Sequence, residues 1–247
     1  MKMLEAKIKS EILKEVVEAA SLLIDEGKFS ISQDEISLKA VDPAHIALIE
    51  LGFSATAFDV FNASPMELGV NLDKLKKVIR LASPQDIMTL KLDEEANRLN
   101  ISFANLSHRM ALLDSSTMRE PKTPNVALST KTTLNGSDLA QGIRAASTIS
   151  DYIILTATPE ALELSCKGDT DAINVQLSKD SLVEHQCQEK VRSLFSLEYL
   201  SSLMKIIKPT DAVCLSLGND LPVKIDFDIA EGKGKVSYLL APRIEPD

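Results

Sequence analysis

Apolar residues return every three or four positions across residues 10–23, where Ile12, Leu13, Val16, Val17, Ala19, Ala20 and Leu23 share one side and Glu11, Lys14, Glu15 and Glu18 the other. That spacing predicts an amphipathic helix, with Ser10 placed to cap its N-terminus. A second helix is predicted from Asn71, again a capping residue, with Leu72, Leu75, Val78, Ile79 and Ala82 inward and Asp73, Lys74, Lys76, Lys77 and Arg80 outward. Pro84 is its predicted stop. Elsewhere the helical period gives way to alternation. Residues 29–32 and 36–39 alternate about the turn pair Gln33-Asp34, and residues 45–51, 87–90, 99–103 and 109–113 read as further strands.

From residue 114 to about residue 130 the periodicity fails, and Pro121 and Pro124 among small polar residues mark an extended linker. Beyond it the pattern begins again. Ala19-Ala20-Ser21 recurs as Ala145-Ala146-Ser147, and at the same spacing Asp25 meets Asp151, Ile36 meets Leu162 and Leu38 meets Leu164. Around the second helix Leu72, Leu75, Pro84, Asp86 and Leu90 recur without gaps as Leu197, Leu200, Pro209, Asp211 and Leu215. Helix, proline and following strand keep their order, which indicates a duplicated unit. Each half reads as strand, helix, three strands, helix, three strands, with both helices on one face of an antiparallel sheet, an α+β fold. The expected boundaries are residues 1–116, a connector of residues 117–130, and residues 131–247.

The 247 residues are 45% hydrophobic, 26% charged and 4% aromatic, which excludes disorder and a collagen-like chain and leaves enough apolar residues for two cores. No run approaches the roughly 20 uncharged apolar residues of a membrane span, and Glu5 stands where a secretory leader needs an apolar stretch. A soluble intracellular chain is expected. Cys166, Cys187 and Cys214 are an odd, scattered set without C-x-x-C, which fits a reducing compartment and gives no disulfide or zinc framework.

The nucleophile-elbow, phosphate-loop, dinucleotide and zinc-protease motifs are missing from the sequence. The densest glycine cluster, residues 231–235, falls between predicted strands at 224–229 and 236–240 and reads as a hairpin turn. His45, His108 and His185 stand far apart in no ligand or nucleophile-base spacing, and the acids at 93–95, 169 and 171 fall in predicted turns. No catalytic residue, metal or cofactor is expected.

With 27 Lys plus Arg against 36 Asp plus Glu, the formal charge of -9 should repel nucleic acid and anionic membrane in bulk. Net charge does not forbid a local basic patch. The wet face of the second helix carries Lys74, Lys76, Lys77 and Arg80, with weaker counterparts in Arg144, Lys205 and Lys208. Two readings stand: cations complementing helix C-termini, or a surface that contacts phosphates without reading bases.

Three stretches carry a family resemblance: Val41-Asp42-Pro43-Ala44 followed by His45-Ile46-Ala47-Leu48-Ile49-Glu50-Leu51, then Leu68-Gly69-Val70-Asn71-Leu72, and above all the closing Leu239-Leu240-Ala241-Pro242-Arg243-Ile244-Glu245. These resemble the sliding clamp called proliferating cell nuclear antigen, in its archaeal form, with elements in the same order along the whole chain. The resemblance implies two DNA-clamp domains per chain and a homotrimeric ring of six domains. Twelve helices would line its hole and sheets would form its wall. It implies a non-catalytic DNA sliding clamp and polymerase processivity factor that encircles duplex DNA in the cytoplasm, at the nucleoid. The implied partners are the clamp loader, replication factor C, together with DNA polymerase, flap endonuclease and DNA ligase, which dock through PIP-box peptides.

On this resemblance Lys9, Lys14, Lys74, Lys77, Arg80, Arg144, Lys205 and Lys208 are the DNA-facing candidates. The acids Glu11, Glu15 and Glu18 crowd the first helix, and Ser201-Ser202 replace the lysine pair of its repeat partner, so a less positive lining is expected. The resemblance assigns the partner-peptide pocket to Ala40, Val41, His45, Ile46, Leu48, Met118, Val126, Pro222, Leu239, Ala241, Pro242 and Ile244. Subunit contact is expected at edge strands, which can pair with a neighbour. These are placed at His108, Arg109, Met110, Ala111, Leu112 and Leu113 and at Ala172, Ile173, Asn174, Val175, Gln176 and Leu177, with Ile143, Lys77 and Arg80 nearby. A recruiting module that joins only a mixed ring is the alternative. A hydrolase on the same scaffold would need a constellation this sequence does not offer.

Overall fold

The computed structural model describes residues 2–244; the Glu245 that closes the C-terminal motif lies outside the described residues. The chain divides into two compact units, Met1–Lys122 with Asp228–Val236, and Thr123–Phe227 with Ser237–Asp247. In the first unit the order is β1 (Leu4–Lys9), α1 (Ser10–Ala20), β2 (Glu26–Ile31), β3 (Glu35–Val41), β4 (Ala47–Ser54), β5 (Val60–Ala63), β6 (Met66–Asn71), α2 (Leu72–Ile79), β7 (Ile87–Asp93), β8 (Arg98–Phe103) and β9 (Leu106–Ala111). The second half of the chain repeats it with β10 (Lys131–Asn135), α3 (Gly136–Ala146), β11 (Tyr152–Thr158), β12 (Ala161–Lys167), β13 (Ala172–Ser178), β14 (Glu184–Gln186), β15 (Val191–Ser196), α4 (Leu197–Leu203), β16 (Ala212–Ser216), β17 (Val223–Ile229) and β18 (Gly234–Leu240).

Each unit is α+β with antiparallel strands and two helices, and five strands rather than three separate its helices. The strands are also divided between two sheets in each unit. In the first, β5-β1-β7-β8-β9 form one sheet and β4-β3-β2-β6 lie side by side in another. In the second, β13-β12-β11-β15 form one and β14-β10-β16-β17 run together in the other. A flat single layer of this many strands would leave its twist unrelieved and one face wet; two layers bury apolar faces against each other and the helices. The strands missed by periodicity, β5 and β6, are a four-residue edge strand and one interrupted by Gly69. Gly69 has a packing reason: a Cβ there would lie 2.7 Å from the Leu113 carbonyl oxygen, where the two chains meet in an antiparallel bridge.

The helices are short, α2 spanning 8 residues, well below the length at which isolated helices persist in water. Burial holds them instead. Leu72, Leu75, Val78 and Ile79 of α2 and Ile12, Leu13, Val16 and Val17 of α1 are all buried, at roughly 1.5–3 kcal/mol of transfer free energy each. Asn71 caps α2 as predicted, its Oδ1 accepting from the Lys74 N–H at 2.9 Å. Ser10 does not cap α1. Lys9 occupies the N-cap position, and the Ser10 hydroxyl donates to the Ser83 carbonyl. The α2 helix ends at Ile79, five residues ahead of Pro84, and the intervening turns carry the chain to β7.

The first N–H of every helix is accepted by the turn that follows its partner helix. Ser10 N donates to Asp86 O at 2.9 Å and Leu72 N to Asp25 O at 2.8 Å; in the second unit Gly136 N donates to Asp211 O at 2.8 Å and Leu197 N to Asp151 O at 2.9 Å. The next donors follow suit, Glu11 N to Pro84 O and Ser137 N to Pro209 O. The Asp86 and Asp211 carboxylates close the same turns by accepting from Ser83 N and Lys208 N. Four of the matches between the two halves, Asp25 with Asp151, Leu72 with Leu197, Pro84 with Pro209 and Asp86 with Asp211, are thus residues of this brace. Gly136 is its tightest point, since a Cβ there would lie 2.2 Å from the Lys208 carbonyl oxygen and 2.8 Å from Ile207 Cγ2. Gly136→Ala is expected to destabilise the chain by about 1–3 kcal/mol, read as a lowered midpoint of denaturant unfolding. An unchanged midpoint would show that the segment carrying Ile207 and Lys208 moves aside freely.

Candidate functional site

On α2 the inward residues leave Lys74, Lys77 and Arg80 at a spacing of three on the exposed side. Among the described residues none of these three is in an ion pair, whereas Lys76 is held by Asp73 at 3.4 Å. Lys14 is exposed on α1 and lies 3.9 Å from Glu18, and Lys9 is half-buried where β1 meets α1. In the second unit Arg144 is exposed on α3, and Lys205 and Lys208 are exposed in the turns beyond α4, not on the helix itself. Ser137, Gln141, Thr148, Ser201 and Ser202 there are uncharged, and acids stand at the helix starts, Asp138 half-buried on α3 and Glu198 exposed on α4.

The acids of α1 are not a free negative patch. Glu18 faces Lys14, Glu11 Oε1 accepts from Gln85 Nε2 at 3.4 Å, and Glu15 Oε2 accepts from the Ala230 N–H at 3.3 Å. Ala230 is fully buried in the left-handed region, with φ of 53°. Glu15 therefore ties down a strained hairpin tip belonging to its own unit. Periodicity could not reveal this, because the partners are 215 residues apart.

The peptide-pocket candidates fall into two groups by exposure. His45 lies in the turn before β4 rather than in the strand, with φ of 57°, and Ile46 beside it is 39% exposed. The turn is held by Asp42, itself buried, whose carboxylate accepts N–H groups from Ala44 at 3.1 Å and from Ile46 and Ala47 at 2.7 Å each. Asp-Pro in the sequence is a turn signal that could have located this carboxylate. Ala40 and Leu48 are core residues of β3 and β4, so of the pocket candidates here only Val41, His45 and Ile46 offer surface. Met118 is half-buried in the first unit. In the second unit Val126, Pro222, Leu239, Ala241 and Pro242 are half-buried and Ile244 is 84% exposed. The segment before Ile244 is anchored by Arg243, whose N–H donates to Leu194 O at 2.7 Å and whose guanidinium sits 3.9 Å above the Tyr152 ring.

Both strands singled out for subunit contact are sheet edges: β9 ends one sheet of the first unit and β13 one sheet of the second. The β9 strand runs Leu106–Ala111 rather than to Leu113. Arg109 and Ala111 are exposed and His108 is half-buried, but Met110 and Leu112 point into the core. On β13, Ala172, Asn174 and Gln176 are exposed while Ile173, Val175 and Leu177 are only half-covered. Ile143, expected at a subunit contact, is instead 2% exposed on the buried side of α3, because the α3 stripe turns it toward its own sheet. Burial raises the Cys166 and Cys187 thiols above their ordinary range, so both remain protonated. Among the described residues no group of three or more His, Cys, Asp or Glu is placed to hold a metal ion, and no helix is long and apolar enough to cross a membrane.

Two family models divide the chain between them. The one for the N-terminal domain of proliferating cell nuclear antigen matches residues 3–119, and the one for its C-terminal domain matches residues 122–243. The chain belongs to the proliferating cell nuclear antigen family. The DNA polymerase sliding clamps of Methanosarcina barkeri and Methanococcoides burtonii are 41% and 40% identical to it, each over 99% of this chain and 100% of the relative. A solved structure described as the C-terminal region of FEN-1 bound to A. fulgidus PCNA superposes with a TM-score of 0.94 at 30% identity, covering 99% of this chain and 100% of that one. The clamp of Thermococcus kodakaraensis shares the fold, with a TM-score of 0.91 at 23% identity over 97% of this chain and 100% of its own.

Proliferating cell nuclear antigens are DNA polymerase sliding clamps, processivity factors of DNA replication without catalytic activity of their own. In a fold whose work is contact with other macromolecules, the Asp42 turn matters because it sets where Ile46 projects. Asp42→Ala leaves three N–H groups without their acceptor and is expected to cost about 2–3 kcal/mol, with faster amide exchange at Ala44, Ile46 and Ala47. Asp42→Asn, which keeps one acceptor oxygen, should fall between. Unaltered exchange at those three amides in the Ala variant would mean that the turn holds without its carboxylate.

Proposed function

We propose that the chain closes as a head-to-tail homotrimeric ring around duplex DNA and tethers replication and repair enzymes to it. The observation that carries this reading is the stripe of Lys74, Lys77 and Arg80, exposed and free of ion pairs on a chain of net charge -9. Cations gathered on helix surfaces would meet phosphates without reading bases, while acids elsewhere discourage binding to the outside. Attachment by encirclement leaves each contact free to be weak. Lys9, Lys14, Arg144, Lys205 and Lys208 are assigned supporting roles on the same grounds, and α3 carries Arg144 in its last turn and Asp138 in its first. The half-covered apolar face of the β13 edge and the open edge of β9 support strand pairing between subunits.

For partner docking the reading rests on the exposed Ile46 in the first unit and the exposed Ile244 in the second. It rests as well on the FEN-1 segment bound to the A. fulgidus relative. A clamp loader, DNA polymerase, flap endonuclease and DNA ligase are the proposed partners, acting in the cytoplasm at the nucleoid. Residues 1–116, 117–130 and 131–247 are the proposed domain, connector and domain.

Light scattering over a dilution series should find a species near 81 kDa, three chains of 26.9 kDa each. A monomer at every concentration would overturn the homotrimer and favour a mixed ring with a second type of subunit. Lys77→Glu combined with Arg80→Glu should abolish polymerase stimulation on primed circular DNA while unfolding midpoint and ring mass hold, since exposed charges contribute little to stability. Undiminished stimulation would remove these residues from the DNA-facing surface. Ile46→Asp should weaken a flap-endonuclease C-terminal peptide at least about tenfold, the loss of one apolar anchor, without lowering Tm. Leu48 is unsuitable for that test because it is core.

A further inference from the structure

The core of the first unit contains an apolar space of about 60 Å³, lined by side chains from α1, α2 and both sheets, among them Leu13, Val16, Val17, Val70 and Leu75. Every lining side chain is apolar, so a water inside would find none of the two to four polar partners it needs, and the space is dry. The duplication supplies an internal control. Phe29, Ile36 and Leu90 each keep 7% of their surface accessible, whereas Leu155, Leu162 and Leu215, in the same sheet positions of the second unit, keep 1%, 0% and 0%.

The pairing of β2 with β6 shows where the packing differs. Gly27 faces Val70 across that ladder, while the matching pair of β11 and β15 is Ile153 opposite Phe195, both fully buried. Farther along, the first unit carries the bulkier pairs, Phe29 with Leu68 and Ile31 with Met66, against Leu155 with Ser193 and Ala157 with Val191. The bulk thus stands at one end of the ladder, and at the other the smaller Val70 lines the void.

We propose that this void is a binding site for a single small apolar ligand, of the size of a xenon atom or a one- or two-carbon hydrocarbon, and that the second unit has no counterpart at the matching positions. Cavities of about 150 Å³ lined by Leu, Ile and Phe take up benzene or xenon; one of about 60 Å³ admits the smaller guest only.

Methyl-resolved NMR of the full chain under xenon pressure tests the assignment. Saturable shifts are expected for Val16, Val17, Val70 and Leu75, with Leu139, Leu155 and Leu215 unmoved. Absence of a saturable response, or equal responses in the two units, overturns the site, and saturable binding of benzene overturns its size. Val70→Phe, which installs the residue of the second unit, should abolish the xenon response, and a response that persists would displace the site from Val70. Val70→Ile adds one methylene in the same branched shape and should raise Tm by about 2–4 °C, the shift of a filled cavity in a chain of this size. A fall in Tm for both variants would show that the space is already occupied by protein atoms.

Discussion

The free N–H groups at a helix start are the constraint around which both units are built. An α-helix leaves its first donors without partners inside the helix, and here each helix hands those donors to the carbonyls of the turn that ends its neighbour. The arrangement is reciprocal, so neither helix of a pair can shift along its axis without breaking a bond at its own start and another at its partner's end. Leucine stripes supply most of the stabilisation, but they tolerate sliding; directional hydrogen bonds do not. Two short helices thereby acquire one defined setting on the sheets, and the charged sides they turn outward acquire one defined spacing.

On the proposed reading, that spacing is what a sliding clamp needs from its helices. A DNA contact that must release at every step gains nothing from deep pockets or base-reading side chains; it needs cations at fixed places on a rigid support. The first unit presents such a stripe on α2, and its neighbouring acids are engaged locally by Lys14, Gln85 and the Ala230 N–H. The second presents hydroxyls and amides with Arg144, Asp138 and Glu198 among them. The two halves share a frame and differ in the side chains their surfaces carry.

They differ inside as well. A void of about 60 Å³ in the first unit corresponds to roughly 1.5 kcal/mol at about 24 cal/mol per Å³, a sizeable part of the margin by which domains are stable. The same unit carries left-handed His45 and Ala230, each stabilised by a carboxylate that accepts nearby backbone N–H groups, Asp42 and Glu15 respectively. Carboxylate acceptors of this kind offset local strain and place Ile46 and the hairpin tip where they are.

The sequence by itself determined whatever depends on residues a few positions apart or on the repeat: four amphipathic helices, the Asn71 cap, the duplicated order of elements, the cationic side of α2 and the family to which the whole belongs. Helical spacing writes Leu72, Leu75 and Lys77 onto opposite faces without reference to anything else in the chain. Tertiary structure alone decided the division into two sheets per unit, the strands β5 and β6, the burial of Leu48, Met110 and Ile143, and the engagement of Glu15 by a residue 215 positions away. It also decided the void, which follows from how side chains on separate strands add up in volume. Periodicity reports which face of an element is inward. It carries no information on what that face meets, because contact, register and packing are set by partners distant in the chain.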